Sequence, residues 1–449
     1  MSRPRRVCSS PAAGRCSGPV GRVGSPRARL RGPLLASPGA RLKISAPFRP
    51  EKDSPLSLKL AQRLKRVRPS PTVGITALAT RLREAGRDIV VLSVGEPDFP
   101  TPEHVKAAAR DALARNDTKY TAVDGARLVK EAVVAKLKRE NGLDYRTEQV
   151  LISSGAKQSC YNACLALLDS GDEVIIPAPY WVSYPDMVEL ADATPVIVAS
   201  TAERGFRIGA DELAAAITPR TRLLILNSPC NPTGAAYSRA DWLALGSVLR
   251  AHPEIVILSD EIYEHIYWGN EPFASFAQAC PDLYDRTITV NGVSKAYAMT
   301  GWRLGYAAGP VDVIKAMTTI QSQSTTNACT ISQAAARAAL TGEQTTVREM
   351  CAEFRRRHDV VLAGLNKIPG FRCTPAAGTF YLFPNVEAAM QIKHAATDVE
   401  LCERLLDGAG IALVPGTAFG APGHVRLSFA ASLETLGEAL ARLEKFMAT

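Results

Sequence analysis

Short, unbroken apolar runs, spaced along the middle of the chain, limit what it can fold into more than any other feature. They read "VLISS" (150–154), "EVIIPA" (173–178), "RLLILNSP" (222–229), "EIVILSDE" (254–261) and "TITVNGV" (287–293). The first four do not alternate polar with apolar, so each of them fits a strand buried on both faces. Helical segments stand between them. That order predicts an α/β fold: a large domain with a mostly parallel sheet flanked by helices. After about residue 345 the pattern changes. A helix ("VREMCAEFRRRHDVVLAGLNKI") and short strands ("GTFYLFPNV", "HVRLSFA") predict a smaller α+β domain. Ahead of the sheet, "LAQRLKRVRPSPTVGITALATRLREAG" predicts helix, a proline-broken bend, then helix ending at Gly86. The division read from this is 105–345 for the large domain, with 51–104 and 346–449 forming the small one. No internal repeat is visible.

The chain has 449 residues, enough for two domains. Its 46% apolar and 22% charged residues are those of an ordinary soluble protein. No apolar run is long enough to span a bilayer. The net charge of +9 is unevenly placed. Residues 1–50 hold ten Arg, one Lys and no acid, so the remainder carries −2. A body so near neutrality is not built for nucleic acid. The basic extension is too poor in apolar residues to fold alone and reads as disordered. Its composition also matches an organelle transit peptide; the absence of a clear amphipathic period favours a dispensable tail or a misplaced start. A cytoplasmic location is expected, or a plastid or mitochondrion if the extension is a transit peptide. Ten cysteines without a CxxC, and six histidines without HxxxH or HExxH, predict neither disulfides nor a metal site.

Ligands of open α/β sheets bind outside the carboxyl ends of the strands, so the polar residues there carry the functional question. After "VLISS" comes Gly155-Ala156-Lys157, then a helix whose buried face is expected at Tyr161, Cys164, Leu165 and Leu168. A glycine turn feeding a helix N-terminus suits a phosphate, though such a turn is often only a turn. Ser154 to Lys157 also matches SxxK, but the KTG element of serine β-lactamases is absent. Asn231 opens "NPTG", which is equally a strong turn former. Asp260 and Tyr263 follow the next strand, where a helix N-cap would also place an acid. Ser294 and Lys295 follow the last, with Arg303 eight positions on. Together these supply an amine for Schiff-base chemistry, a carboxylate for a pyridine nitrogen, donors for a phenolic oxygen and a cationic seat for a phosphate.

From about residue 56 onward the chain resembles the fold-type I, class I pyridoxal-phosphate aminotransferases. It is most similar to the bacterial-type aspartate aminotransferases, a branch that includes prephenate aminotransferases. The motifs that carry this are "GEPDF" (95–99), "YWVSYP" (180–185), "NSPCNPTG" (227–234), "SDEIYEH" (259–265), "SKAYAMTGWRLGY" (294–306) and "HVRLSF" (424–429), in the family's order. The resemblance implies that Lys295 forms the internal aldimine and shuttles the substrate proton. It implies that Asp260 pairs with the pyridinium nitrogen. Tyr263 and Asn231 would bond the phenolic oxygen, and Trp181 would stack on the ring. Ser294, Arg303 and the turn Gly155, Ala156, Lys157 would hold the phosphate. Tyr120, in "TKYTAVDG", would reach the phosphate of a neighbouring subunit, making a homodimer with shared active sites. Arg426 would clamp the substrate α-carboxylate with the Gly95 backbone.

The implied activity is ping-pong transamination between aspartate or glutamate and 2-oxoglutarate or oxaloacetate. The expected partners are amino acids and 2-oxo acids, with no nucleic acid, membrane or metal. Lys157 and Arg68 are the basic residues that would read an acidic side chain. Prephenate, aromatic or alanine-type transamination are alternatives. A pyridoxal-phosphate C–S lyase would share fold and lysine. An effector-binding domain of a transcription regulator would need a DNA-binding module, and residues 1–50 lack the pattern of one.

Overall fold

The computed structural model describes residues 59–67 and 71–449. The expected disordered extension and Arg68 lie outside the described residues. Strands are numbered β1 to β12 in chain order: β1 (Val90–Val91), β2 (Val150–Ser153), β3 (Glu173–Ala178), β4 (Thr194–Ala199), β5 (Thr221–Asn227), β6 (Val256–Asp260), β7 (Thr287–Gly292), β8 (Gly305–Ala308), β9 (Tyr381–Leu382), β10 (Ile411–Ala412), β11 (Val414–Pro415) and β12 (Val425–Ser428).

Seven of these form one sheet in the order β2-β8-β7-β6-β5-β3-β4. The pairs from β4 through β7 are parallel. β8 runs antiparallel to both β7 and β2. The α/β class read from the unbroken apolar runs is therefore the one found. The physical reason is visible in β5. Leu223 and Ile225 face a core that includes Cys160 and Ala163 of the helix Ala156–Leu167. Leu224 and Leu226 face the opposite core, with Trp242 and Leu245 of the helix Arg239–Leu249. With both faces covered, every second residue and its neighbour must be apolar. β4, an edge strand, is exposed or half-buried at every position. Among the described residues no helix is long and apolar enough to cross a membrane.

Two smaller sheets stand apart in sequence from this one. β1 pairs with β10, and β11-β12-β9 forms an antiparallel trio. The long helix Thr345–Leu365 and the C-terminal helix Leu433–Ala448 contribute Phe354, Val361, Leu436 and Leu443 to the core beside them. The strands expected in "GTFYLFPNV" and "HVRLSFA" are present but short, at β9 and β12. β8 and β11 carried no readable signal. "GYAA" is too small and glycine-rich to announce a strand, and β11 is two residues long.

One expected helix face holds at Cys164 and Leu168 and needs correcting at Tyr161 and Leu165. In Ala156–Leu167 the buried positions are Ser159, Cys160, Asn162, Ala163 and Cys164, while Tyr161 and Leu165 are only half-buried. The helix is held between the sheet and the helix Val311–Ser322. Small residues are selected at both close approaches, so the largest side chains do not mark the buried face.

Candidate functional site

β5 and β6 end level with each other, Asn227 opposite Asp260. The Asn227 amide donates to the Asp260 carbonyl at 2.9 Å, and its Oδ1 accepts from the Asn231 N–H at 2.9 Å. That bond turns the chain back and fixes Asn231 beside Asp260. The carboxylate of Asp260 is itself held at both oxygens. Oδ2 accepts from the Tyr184 hydroxyl at 2.6 Å, and Oδ1 accepts from the Ile262 N–H at 3.2 Å. Burial pushes this carboxyl up to about 6, against the pull of both donors and of Lys295.

Lys295 lies three residues beyond the end of β7. Its Nζ donates to the Gly95 carbonyl at 2.6 Å. Burial, and then repulsion from Arg426, lower its amine to about 8. At neutral pH such an amine is neutral in roughly a tenth of molecules, far more than an ordinary lysine near 10.4. It is a usable nucleophile and base.

Beside it lies an anion seat. Gly155 (φ +85) caps the twelve-residue helix Ala156–Leu167, leaving the first N–H groups open. Arg303 adopts the left-handed conformation (φ +53) and donates to the Thr300 carbonyl at 2.9 Å. Two glycines let these parts converge. A Cβ on Gly155 would meet Arg303 Nη2 at 2.4 Å, and one on Gly305 would meet the Ala156 nitrogen at 2.2 Å. Ser294 is buried at the same end. Lys157 is exposed as a residue and stands with its ammonium 4.9 Å from the Trp181 ring. Protein crowding that ammonium, and then Arg303, lower its pKa. Trp181 meets Tyr184 edge-on at 5.3 Å.

Arg426, on β12, closes the other side. One Nη donates to Asn231 Oδ1 at 2.9 Å and the other to the Ser93 carbonyl at 2.7 Å. The guanidinium lies 4.4 Å over the Tyr381 ring and 5.0 Å over Phe419. Its Nε is buried without a partner, and it has no carboxylate partner among the described residues. A buried cation so placed is incomplete until an anion joins it. Tyr263 and Tyr381 share a hydroxyl–hydroxyl bond of 3.0 Å. Burial holds the Tyr263 phenol well above its ordinary range, so it stays a neutral donor.

Gly95, Ala156, Lys157, Trp181, Asn231, Asp260, Tyr263, Ser294, Lys295, Arg303 and Arg426 all line one cavity of about 410 Å³. Gly155 stands behind it as the helix cap. Tyr120 does not line it and is 89% exposed. The structure also brings in residues that sequence reasoning missed: Tyr184, Tyr381, Glu96 and Thr72. Thr72 Oγ1 is buried and unpaired, and Glu96 bonds Thr300. Tyr184 had one signal, its place three residues after Trp181 on a first helical turn. Tyr381 had none, being one aromatic among several in a short strand.

A pyridine ring carrying a phosphate, a hydroxyl and an aldehyde fits this donor set. The cationic turn would take the phosphate and Asp260 the ring nitrogen. Tyr263 and the Asn231 amide, whose nitrogen has no acceptor among the described residues, would take the hydroxyl.

The family model for aminotransferase class I and II matches residues 87–443. The chain is 48% identical over 396 residues to the aspartate/prephenate aminotransferase of Nitrosomonas europaea, covering 87% of this chain and 100% of that one. Among solved structures it is similar to the aspartate aminotransferase of Rhizobium meliloti, with a TM-score of 0.84 and 46% identity over 87% of this chain and 99% of that one. It is likewise similar to the aspartate aminotransferase of Thermus thermophilus with maleate, with a TM-score of 0.82 and 46% identity over 87% and 100%.

Proposed function

We infer the function from the family: this chain belongs to aminotransferase class I and II. It is a pyridoxal-phosphate-dependent transaminase that exchanges amino groups between aspartate or glutamate and the matching 2-oxo acids. The observation that carries this reading is the pairing, in one cavity, of an amine lowered to about 8 with a buried guanidinium that lacks an anion.

When bound, the cofactor supplies a carbonyl carbon for amines and a ring that takes up the electron pair left on the substrate Cα. The protein's own residues do the rest. Lys295 holds the cofactor and moves the proton at the substrate Cα. Asp260, fixed at both oxygens, holds the proton on the ring nitrogen. Tyr263 and Asn231 donate to the ring oxygen. Trp181 covers the ring, and Ser294, Arg303 and the turn Gly155, Ala156, Lys157 bind the phosphate. Arg426 orients the α-carboxylate, aided by Gly95. Lys157, in the same cavity, is the residue we assign to an acidic side chain, with Arg68 as the expected second cation. The maleate in the Thermus relative, a dicarboxylate, supports that assignment. The Nitrosomonas relative's name supports prephenate as a second dicarboxylate substrate. Tyr120, exposed on its own chain, is assigned to the site of a second copy in a homodimer. We also propose the division into 105–345 and 51–104 with 346–449.

The test is a visible absorption spectrum joined to steady-state kinetics. The purified protein should show a cofactor band that shifts on adding L-aspartate and is lost in Lys295→Ala. Aspartate should exceed alanine in kcat/KM by about a hundredfold, the worth of one charge-assisted pair. Equal values for aspartate and alanine would sink the acidic-substrate reading. Pyruvate released from a cysteine conjugate without a 2-oxo acid acceptor would replace transamination by lyase chemistry.

A further inference from the structure

Behind the cavity lies a second polar cluster that none of these roles uses. Lys136, on the helix Arg127–Asn141, is fully buried. Its ammonium bonds the Glu264 carboxylate and donates to Asn141 Oδ1 at 2.8 Å, with Glu140 at 3.5 Å. Glu264 also accepts from Asn141 Nδ2 at 2.7 Å and from Asn291 Nδ2 at 2.7 Å. Asn291 in turn accepts the Gly292 N–H at 2.7 Å. His265 stands 2.8 Å from Glu140. Glu140, Glu264 and His265 offer donor atoms within 4.8 Å of one another, and the cation among them is Lys136. Burial disfavours the charge on Glu264, but Lys136 and then His265 outweigh it and hold the carboxyl below its ordinary range.

Stability alone gives little reason for this cluster. A buried ion pair replaced by apolar side chains of the same size is often no less stable. Its position gives a better one. Glu264 is the residue after Tyr263, in the turn that leaves β6. Asn291 is the penultimate residue of β7, four before Lys295. One carboxylate therefore ties the segment carrying Tyr263 to the segment carrying Lys295, and Lys136 and Asn141 tie both to one helix. We propose that Glu264, Asn291 and Lys136 are positioning residues that set Lys295 and Tyr263 in register with each other around the cofactor. The bond that matters most is Asn291 Nδ2 to Glu264, because it joins the two strand ends directly. This rests on the transaminase reading above.

Breaking and keeping that one bond tests it. Asn291→Asp keeps the acceptor for Gly292 but sets two carboxylates face to face. Glu264→Gln leaves the Lys136 ammonium buried without a counter-charge and sets an amide donor against Asn141. The double variant Lys136→Met/Glu264→Gln removes that charge, frees the Asn141 amide to turn, and keeps an oxygen at position 264 for Asn291. Each protein is titrated with pyridoxal phosphate by visible absorbance, melted, and assayed for kcat and KM with aspartate. Each single variant should lose about tenfold or more in cofactor affinity and in kcat with little change in KM, as misplaced catalytic groups do. The double should recover most of both. Folded single variants with parental affinity and kcat would overturn the proposal. So would a double variant that is no better than the singles, or that does not fold. Single variants that fail to fold leave the double to decide, against the parent. A parent that neither takes up the cofactor nor turns over aspartate would instead remove the functional reading itself.

Discussion

Asp260 is 4% exposed, and burial raises its carboxyl to about 6 from an ordinary 3.8. A folded-state pKa above the unfolded value means the fold favours the protonated form. That stabilisation is complete below pH 4 and is lost as pH rises through 6. Near neutrality, the cofactor-free protein therefore holds an ionised carboxylate at a cost. A shift of about two units corresponds to roughly 3 kcal/mol. Asp260→Asn keeps the shape, and its amide can satisfy both Tyr184 and the Ile262 N–H. The variant's cofactor-free form should melt above the parent at pH 8 and level with it at pH 3.5. Its transaminase activity should fall by about a hundredfold or more, because no carboxylate remains to hold the ring proton. Calorimetry of the apo proteins at the two pH values checks the first claim. A parent that is the more stable at pH 8 would show that Asp260 is not strained by burial.

At the scale of elements, the site is made by β5, β6 and β7 ending together and by β8 pressing against the turn before the helix Ala156–Leu167. The first part was legible. Apolar runs that stop at Asn227, Asp260 and Gly292 mark strand ends without any structure, and the groups just past them are those proposed to hold the cofactor. The second part was not. Gly305 looks like an ordinary glycine in "RLGY", and only the fold shows that a Cβ there meets a backbone nitrogen at 2.2 Å. Since that neighbour is backbone, the turn has to move rather than a side chain. Gly305→Ala should therefore displace the proposed phosphate seat while leaving the amine in place. The expected result is a loss of about tenfold or more in affinity for pyridoxal phosphate, the lower end of what a charge-assisted bond contributes, with little change for pyridoxal. Equal losses for the two ligands would mean that the sheet itself had been disturbed.

Across the whole molecule, the cavity is closed by side chains that are remote in sequence and belong to different sheets. Arg426 on β12 reaches Asn231 after β5 and Ser93 after β1. Tyr381 on β9 reaches Tyr263 after β6. No local pattern announces such contacts; Arg426 was named only through the family motif, and Tyr381 was not named. Tyr120 is the converse case, a residue named from the motif that its own chain leaves 89% exposed. If a second copy is where it acts, mixing two defective proteins should repair one site. Tyr120→Ala removes the reaching residue and Lys295→Ala removes the amine. In a hybrid of the two, one site has both defects and the other has neither. Unfolding and refolding the variants together should therefore give an activity several-fold above the mean of the two refolded separately, in step with the fraction of hybrid dimer seen by native mass spectrometry. A residue acting in its own chain gives no such gain, because every site in the hybrid would then carry one defect.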